Sequence, residues 1–472
     1  MKTYQDWLEV AERSDQERMD FIRAAINDHK ADKGYRRACI GEDYYAGQNT
    51  TIKHYEKLIY NIRGEAIPDY TAPNHKLATR FFFRAVTQAN STLLGNGVTF
   101  KKESTKKKLG ADFDRRIIDV GRCAQVEGTC FGFYNKDHVE IFELREFVPF
   151  FDEEDGALKA GVRFWQIADN KPMRATMYEL DGYTEYLWDA ETLQGRIFHA
   201  KRAYKLVKKV SPADGEEIYD FENYPSFPIV PCYANTLKDS ELTPIRPTID
   251  ALDLIQSGYV GDVDQAVLYW TIANAGGMDD SDLMKALDKI KKLHITQVDD
   301  GAQLQPHVVE PSVGGREAIL ERLEKQLYKD AMALNTYDLA SGAVTATQIE
   351  AAYEPLNEKL DLFETQITEF ISRILEVAGI TDDEPTYSRS MLINKNEEIG
   401  AVLNSANFLE PEYITEKILT LMGDKDRVDE VLNKIKALQL ERMAQFGAAE
   451  GEGNAEGEPT ESDEGGNDKL EE

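Results

Sequence analysis

Apolar residues stand at Ile349, Tyr353, Leu356, Leu360, Phe363, Ile367, Phe370 and Ile374. Steps of four and three put all eight on one face of a helix. The pattern predicts a helix of ~33 residues, roughly 50 Å at 1.5 Å per residue. Thr345, with Gln348 three residues on, reads as its capping box, and Gly379 as its stop. Pro355 inside it is expected to kink it. Upstream, Ile319, Leu323, Leu327, Ala331 and Leu334 predict a helix that ends near Asn335. Between the two, Asn335 to Val344 reads as a loop without lysine or arginine, turning at Ser341-Gly342.

Earlier in the chain, Trp7, Val10, Met19, Ile22 and Ile26 give a helical pattern over Tyr4 to Ile26, read as a peripheral helix that leads to a turn at Tyr44-Tyr45-Ala46-Gly47. Asn74 to Leu94 predicts a helix, followed by a strand at Val98 to Phe100, and Arg115 to Val126 another helix. The period then changes to two. Thr129 to Tyr134, Val139 to Leu144, Val162 to Ile167, Thr176 to Leu180, Tyr183 to Asp189, Gly195 to His199 and Ala203 to Val207 predict antiparallel strands divided by Gly, Asn and Asp turns. Pro225 to Pro231 reads as extended and proline-rich.

A long helix is predicted from Thr243, with Pro244 at its first position, to about Asn274. A small αβ insert follows, with a helix over Ser281 to Lys292 and strands near Ile295 to Val298 and Leu304 to Val309. After Gly379 come a strand-like patch at Ser388 to Ile393 and helices at Asn396 to Phe408, Pro411 to Met422 and Arg427 to Met443.

Composition narrows the function. The chain has 472 residues, 42% of them hydrophobic, enough for sizeable cores. No apolar run is long enough to cross a membrane and Met1 to Leu8 is polar, so a soluble cytosolic protein is expected. Cys39, Cys123, Cys130 and Cys232 lack metal-ligand spacing and are expected as buried thiols. The formal charge is −30, against tight binding of nucleic acid, which draws its affinity from lysine and arginine. Ala448 to Glu472 holds ten acidic residues and one lysine, so −9 of this charge sits in a Gly/Glu-rich tail too poor in apolar residues to fold.

Candidate chemistry is sparse. Asp250, Asp253, Asp262 and Asp264 share a predicted helix without a nearby histidine, which favours a solvated or water-lined face over catalysis. Asp152 to Asp155 reads as a hydrated turn rather than a metal site. Lys101, Lys102 and Lys106 to Lys108 read as a solvated helix face, with an acidic partner as the other reading. The seven histidines, His29, His54, His75, His138, His199, His294 and His307, are scattered singly.

The order helix, small αβ insert, helix, charge-poor loop, long helix resembles the portal proteins of tailed bacteriophages, of the siphophage type. The matching pieces are Tyr44-Tyr45-Ala46-Gly47, Leu93 to Phe100, Glu143 to Asp152, Ala340-Ser341-Gly342-Ala343, and Ile414-Thr415-Glu416-Lys417 followed by Asp424-Lys425-Asp426. Each is loose alone; their order and spacing across Asp6 to Met443 carry the likeness.

The resemblance implies an α+β portal-protein fold, mainly helical with an antiparallel β-rich wing. Residues 1–242 would be the wing, 243–275 and 316–335 the two stem helices, and 276–315 the clip. Residues 336–345 would be the tunnel loop, 346–395 the long kinked wing helix with its return strand, 396–447 a helical crown, and 448–472 a disordered acidic tail. It implies a ring, in this family of twelve subunits, at one capsid vertex of the virion, assembled in the host cytoplasm. Its partners would be terminase, head-completion or connector proteins, and major capsid and scaffolding proteins. Double-stranded DNA would pass Tyr337, Asp338, Leu339, Ala340, Ser341, Gly342, Ala343 and Val344 without sequence-specific contact. No catalytic residue, metal, cofactor or membrane is implied. The acidic balance also suits a conduit, because strong cationic contacts would hold the phosphates. Two other classes stay open. A coiled-coil scaffold accounts for the heptad but not the αβ insert, and a metal-dependent nucleic-acid enzyme would need clustered ligands.

Overall fold

The computed structural model describes residues 2–449 except 61–63, 71–72, 193, 211–216, 265–267, 274–278, 280, 283, 286–288, 290–302, 309–312, 338–345, 390–394, 407 and 423–426. The chain divides into two compact units, one of residues 1–344 and 348–391, the other of 345–347 and 392–472. Helix and antiparallel sheet are mixed in the first.

The long helix forms over Ala346–Val377 and continues through Pro355. From Tyr353 onward every stripe residue is buried, and Ile371 and Leu375 join them, so the stripe is wider than the heptad. It ends on Gly379 at φ 72°. The Gly379 N–H donates to the Glu376 carbonyl at 3.0 Å and the Ile380 N–H to that of Leu375 at 2.8 Å. This pair of bonds closes the helix end as a Schellman turn, which needs the left-handed conformation glycine adopts freely. The predicted cap at Thr345 lies outside the described residues.

This helix packs on a three-stranded sheet in the order Ile229–Tyr233, Thr129–Asn135, His138–Glu143. The proline-rich stretch thus contributes a strand, and Pro231 is tolerated because that strand lies at the sheet edge. A five-stranded meander runs Gly195–Arg202, Gly182–Trp188, Met173–Glu179, Leu158–Trp165, Phe147–Phe151, with Pro149 again on an edge strand. Phe147–Phe151 is a strand the alternation had not marked, and a ribbon of Lys205–Val210 with Glu217–Glu222 extends the Ala203 to Val207 expectation. Val98–Thr99 pairs with Thr386–Tyr387, earlier than the Ser388 to Ile393 expected; residues 390–393 lie outside the description.

Several expectations need correction. The N-terminal segment is two helices, Tyr4–Ala11 and Asp15–Ala31, because Thr3 with Asp6 and Ser14 with Glu17 form separate capping boxes. Nor is it peripheral, since Trp7, Met19, Ile22 and Ile26 form a core with the meander's Phe150, Val162 and Trp188. The Asn74 to Leu94 helix begins only at Phe81. The helix expected over 243–275 occupies Arg246–Asp264, and Leu268–Ala273 is instead a strand paired with Gln303–Val308. Its Leu-Tyr-Trp-Thr-Ile run fits either period, and β-branched and aromatic residues favour a strand once a partner is available. The helix expected over 316–335 runs Val313–Asp330. Within the insert, 295–298 lies outside the described residues.

The second unit holds helices Lys395–Asn404, Pro411–Met422 and Val428–Ala449. Ala448 and Ala449 close the last of these, and the rest of the acidic tail lies outside the described residues.

Candidate functional site

The segment that leads into the charge-poor loop begins where the Val313–Asp330 helix ends. Met332 sits at φ 49°. Its N–H donates to the Lys329 carbonyl at 3.1 Å, and the Ala333 N–H to that of Tyr328 at 3.0 Å. This is the same helix stop as at Gly379, made here with a residue that has a Cβ and therefore strained. Three side chains from distant sequence hold it. Gln88, on the Phe81–Leu94 helix, clamps Leu334 from both sides: its amide nitrogen donates to the Leu334 carbonyl at 3.1 Å, and the Leu334 N–H donates to its amide oxygen at 2.9 Å. Lys359, on the long helix, donates to the Ala331 carbonyl at 3.1 Å and pairs with Glu241 at 2.9 Å. Leu327, Ala331 and Leu334 are buried beneath.

Past this anchor the Tyr337 N–H donates to the Asn335 side-chain oxygen at 3.2 Å, an Asx turn. Tyr337 is 68% exposed. Of the candidate loop residues it is the one described; Asp338, Leu339, Ala340, Ser341, Gly342, Ala343 and Val344 lie outside. The anchoring role of Gln88, Glu241 and Lys359 was not legible in the sequence, because none is close to the loop along the chain and none belongs to a motif.

Of the carboxylates weighed for catalysis, Asp250 and Asp253 are tied into the fold, and the side chains of Asp262 and Asp264 lie outside the described residues. Asp253 is fully buried and accepts from the Asn49 amide at 2.7 Å and the Thr79 N–H at 2.9 Å. Burial raises its pKa against those two bonds. Asp250 accepts from the Tyr44 hydroxyl and, at 2.9 Å, from that of Thr51. These bonds fasten the Arg246–Asp264 helix to the Asn49 turn, so the expected solvated face is wrong for Asp253, whereas Asp250 stays partly exposed. Asp152 is buried too, accepting from Lys159, Gln5 and the Glu154 N–H, contacts that hold its pKa low, with the Lys159 bond the largest.

In the lysine cluster, Lys101 pairs with Glu384 at 3.3 Å, Lys102 with Asp382, and Lys106 with Asp114 at 2.6 Å. Asp383 takes the N–H groups of Lys101 and Lys102 and the Thr105 hydroxyl. The cluster therefore holds the chain segment after the long helix. Among the described residues, no three His, Cys, Asp or Glu side chains converge as metal ligands, and no helix is long and apolar enough to cross a membrane. All four cysteines are free thiols, Cys39 half-buried and the others buried.

Comparison with known proteins agrees with the order of elements. The family model for phage portal proteins, SPP1 Gp6-like, matches residues 25–443. The portal protein of Clostridium phage phiCD119 is 26% identical over 293 residues, covering 56% of this chain and 64% of that relative, a little under two thirds of its length. Among solved structures, a chain from the neck of a native gene transfer agent particle, computed with C12 symmetry, covers 79% of this chain and 98% of its own length at 10% identity and TM-score 0.39. A chain from the virion of a native gene transfer agent particle covers 72% and 89% at 12% identity and TM-score 0.38. With a family model spanning nearly the whole described chain, through both the sheet-rich part and the helices that flank the loop, this protein belongs to the phage portal protein family, SPP1 Gp6-like.

Proposed function

We propose that this portal protein assembles as a closed ring, of twelve copies in the family pattern, at one vertex of a capsid. It is the conduit for DNA during packaging and ejection and the docking site for terminase and head-completion proteins. The observation that carries this reading is the family match over residues 25–443. The −30 charge supports it, since a chain of acidic balance offers few strong lysine or arginine contacts to hold the phosphates. In this reading the 246–264 and 313–330 helices are the stem. The clip lies between them and includes the 268–273 and 303–308 strand pair, and the helices after residue 395 are the crown. The protein is structural, and its buried carboxylates serve the fold. Negative-stain images of the purified protein are expected to show rings with a central hole. A stable monomer at high concentration overturns the proposal.

The tunnel loop is residues 336–345, carried on the base clamped by Gln88 and Lys359. Replacing Ser341 and Ala343 with lysine places two cations per subunit beside the passing duplex, and each phosphate contact adds counterion release that strengthens binding at low salt. The Ser341→Lys/Ala343→Lys protein is expected to form rings, because loop tips tolerate change. DNA packaged in a terminase-driven assay should fall about tenfold at low ionic strength and partly recover as salt rises. Normal packaging at every salt concentration means the loop does not face DNA.

A further inference from the structure

The ribbon of Leu58–Tyr60 and Ala66–Pro68 has the residue pattern of a buried strand pair. Leu58 stands opposite Pro68, Ile59 opposite Ile67 and Tyr60 opposite Ala66, so all six residues, and with them both faces, are apolar. A strand pair with one face in water alternates apolar and polar residues, whereas one apolar on both faces is suited to cover on both. Here that cover is missing. Leu58 is 52% exposed and Tyr60 75%, Ile67 is exposed, and Tyr70 just beyond the ribbon is 87% exposed. Among the described residues the ribbon joins no third strand, and none of its residues belongs to a hydrophobic core. A two-stranded ribbon alone is marginal in water, so its order calls for a partner surface.

Charge identifies the partner. The stretch from Lys53 to Arg84 holds six lysine and arginine residues against three acids, a net +3, and because the chain carries −30 its other residues sum to −33. Copies of so acidic a chain repel one another. A contact between them is favoured where an apolar surface set among cationic residues meets the acidic body of the next copy. The other exposed apolar pair on a ribbon, Leu206 opposite Phe221, belongs to a stretch, Lys205 to Glu222, with three lysines and five acids, a net −2. We infer that the 58–60 and 66–68 ribbon is an arm by which one copy of this protein grips the next. Ribbon against ribbon would set like charges together, so the surface it covers lies elsewhere on the neighbour. That makes the contact heterologous, the kind that closes a ring. The inference rests on the ring reading above and adds to it a contact that holds neighbouring subunits together.

The test follows assembly of the full-length protein by sedimentation velocity at falling concentration. Leu58→Thr/Tyr60→Thr/Ile67→Thr keeps residues that favour a strand at exposed positions, so its circular dichroism spectrum is expected to match the wild type. Its concentration of half-assembly is expected to rise by about tenfold or more, because three apolar side chains are lost from the contact. Lys53→Glu/Lys76→Glu leaves the apolar faces intact and is expected to raise it as well, by more at low salt than at high. Hydrogen exchange needs no variant: in the wild type, amides of the 55–70 peptide are expected to exchange more slowly in rings than in subunits diluted below half-assembly. Wild-type assembly in both variants, or equal exchange in ring and subunit, overturns the inference and leaves the ring reading standing. A wild type that stays monomeric at every concentration overturns both. Ribbon variants that assemble normally but no longer enter capsids assign the ribbon to another protein, which also overturns the inference.

Discussion

Replacing Phe370 by alanine is expected to destabilise the fold by about 3–5 kcal/mol, the range for deleting a fully buried aromatic side chain. Phe370 is 1% exposed, next to last in the long-helix stripe. Its ring lies on Gly132 in the middle strand of the three-stranded sheet, where a Cβ would stand 2.4 Å from one ring carbon and 2.7 Å from the next. Glycine in a strand interior often marks such a close approach. The contact makes a second expectation. Gly132→Ala is destabilising in the wild type but close to neutral in the Phe370→Ala background, where the space is vacated. A double-mutant cycle by urea unfolding should therefore return a coupling of about 1–3 kcal/mol. Additive effects of the two changes would mean that the ring does not rest on that glycine.

The second large effect is a loss of stability between pH 4.5 and 7 that depends on Glu127. This side chain belongs to a partly buried group of three carboxylates, Glu42, Glu127 and Glu143, held by two arginines. Arg145 lies 2.7 Å from Glu127 and 2.6 Å from Glu143, and Arg122 lies 3.6 Å from Glu42 and 3.5 Å from Glu143. Burial pushes the Glu127 carboxyl up from 4.5 to about 7. Arg145 draws it down and the neighbouring carboxylates push it up further. The close ion pair and the raised pKa point in opposite directions. Burial prevails because Arg145 is shared among three acids, and the second Glu127 oxygen has no partner among the described residues.

The sign follows from proton binding. In this window the folded protein holds a proton that the unfolded chain has released, so the stabilisation present below pH 4.5 is lost as pH rises through 7. A gap of that size is worth about 3 kcal/mol. Carboxylates held low, such as Asp152, act in the opposite sense, so the measurement is a difference. The unfolding free energy of wild type minus that of Glu127→Gln is expected to fall by about 3 kcal/mol from pH 4.5 to 7.5. A flat difference would mean that Glu127 is ionised in the fold throughout.

Much of this protein is written in local pattern. The long helix, its inward face and its stop at Gly379 follow from a 3.6-residue period and one glycine, because they depend on neighbours along the chain. The same holds for Pro411–Met422 and for the antiparallel run after Thr129, where the period is two. The family was legible as well, since it resides in the order of elements, and the family model spans that order. Where a run was short and apolar, pattern failed. Leu268–Ala273 suits a helix or a strand, and pairing with Gln303–Val308 made it a strand. Amphipathic spacing showed that Trp7 and Ile22 had to be covered, but not that a sheet more than a hundred residues later covers them. Asp253 looked like a solvated acid because its partners, Asn49 and Thr79, are 204 and 174 residues away. The loop shows both sides. Its small, charge-poor composition is local, whereas its clamped base exists only where folding brings Gln88 and Lys359 onto Leu334 and Ala331. A hydrogen bond between distant residues leaves no periodic trace, so only the tertiary structure could supply it.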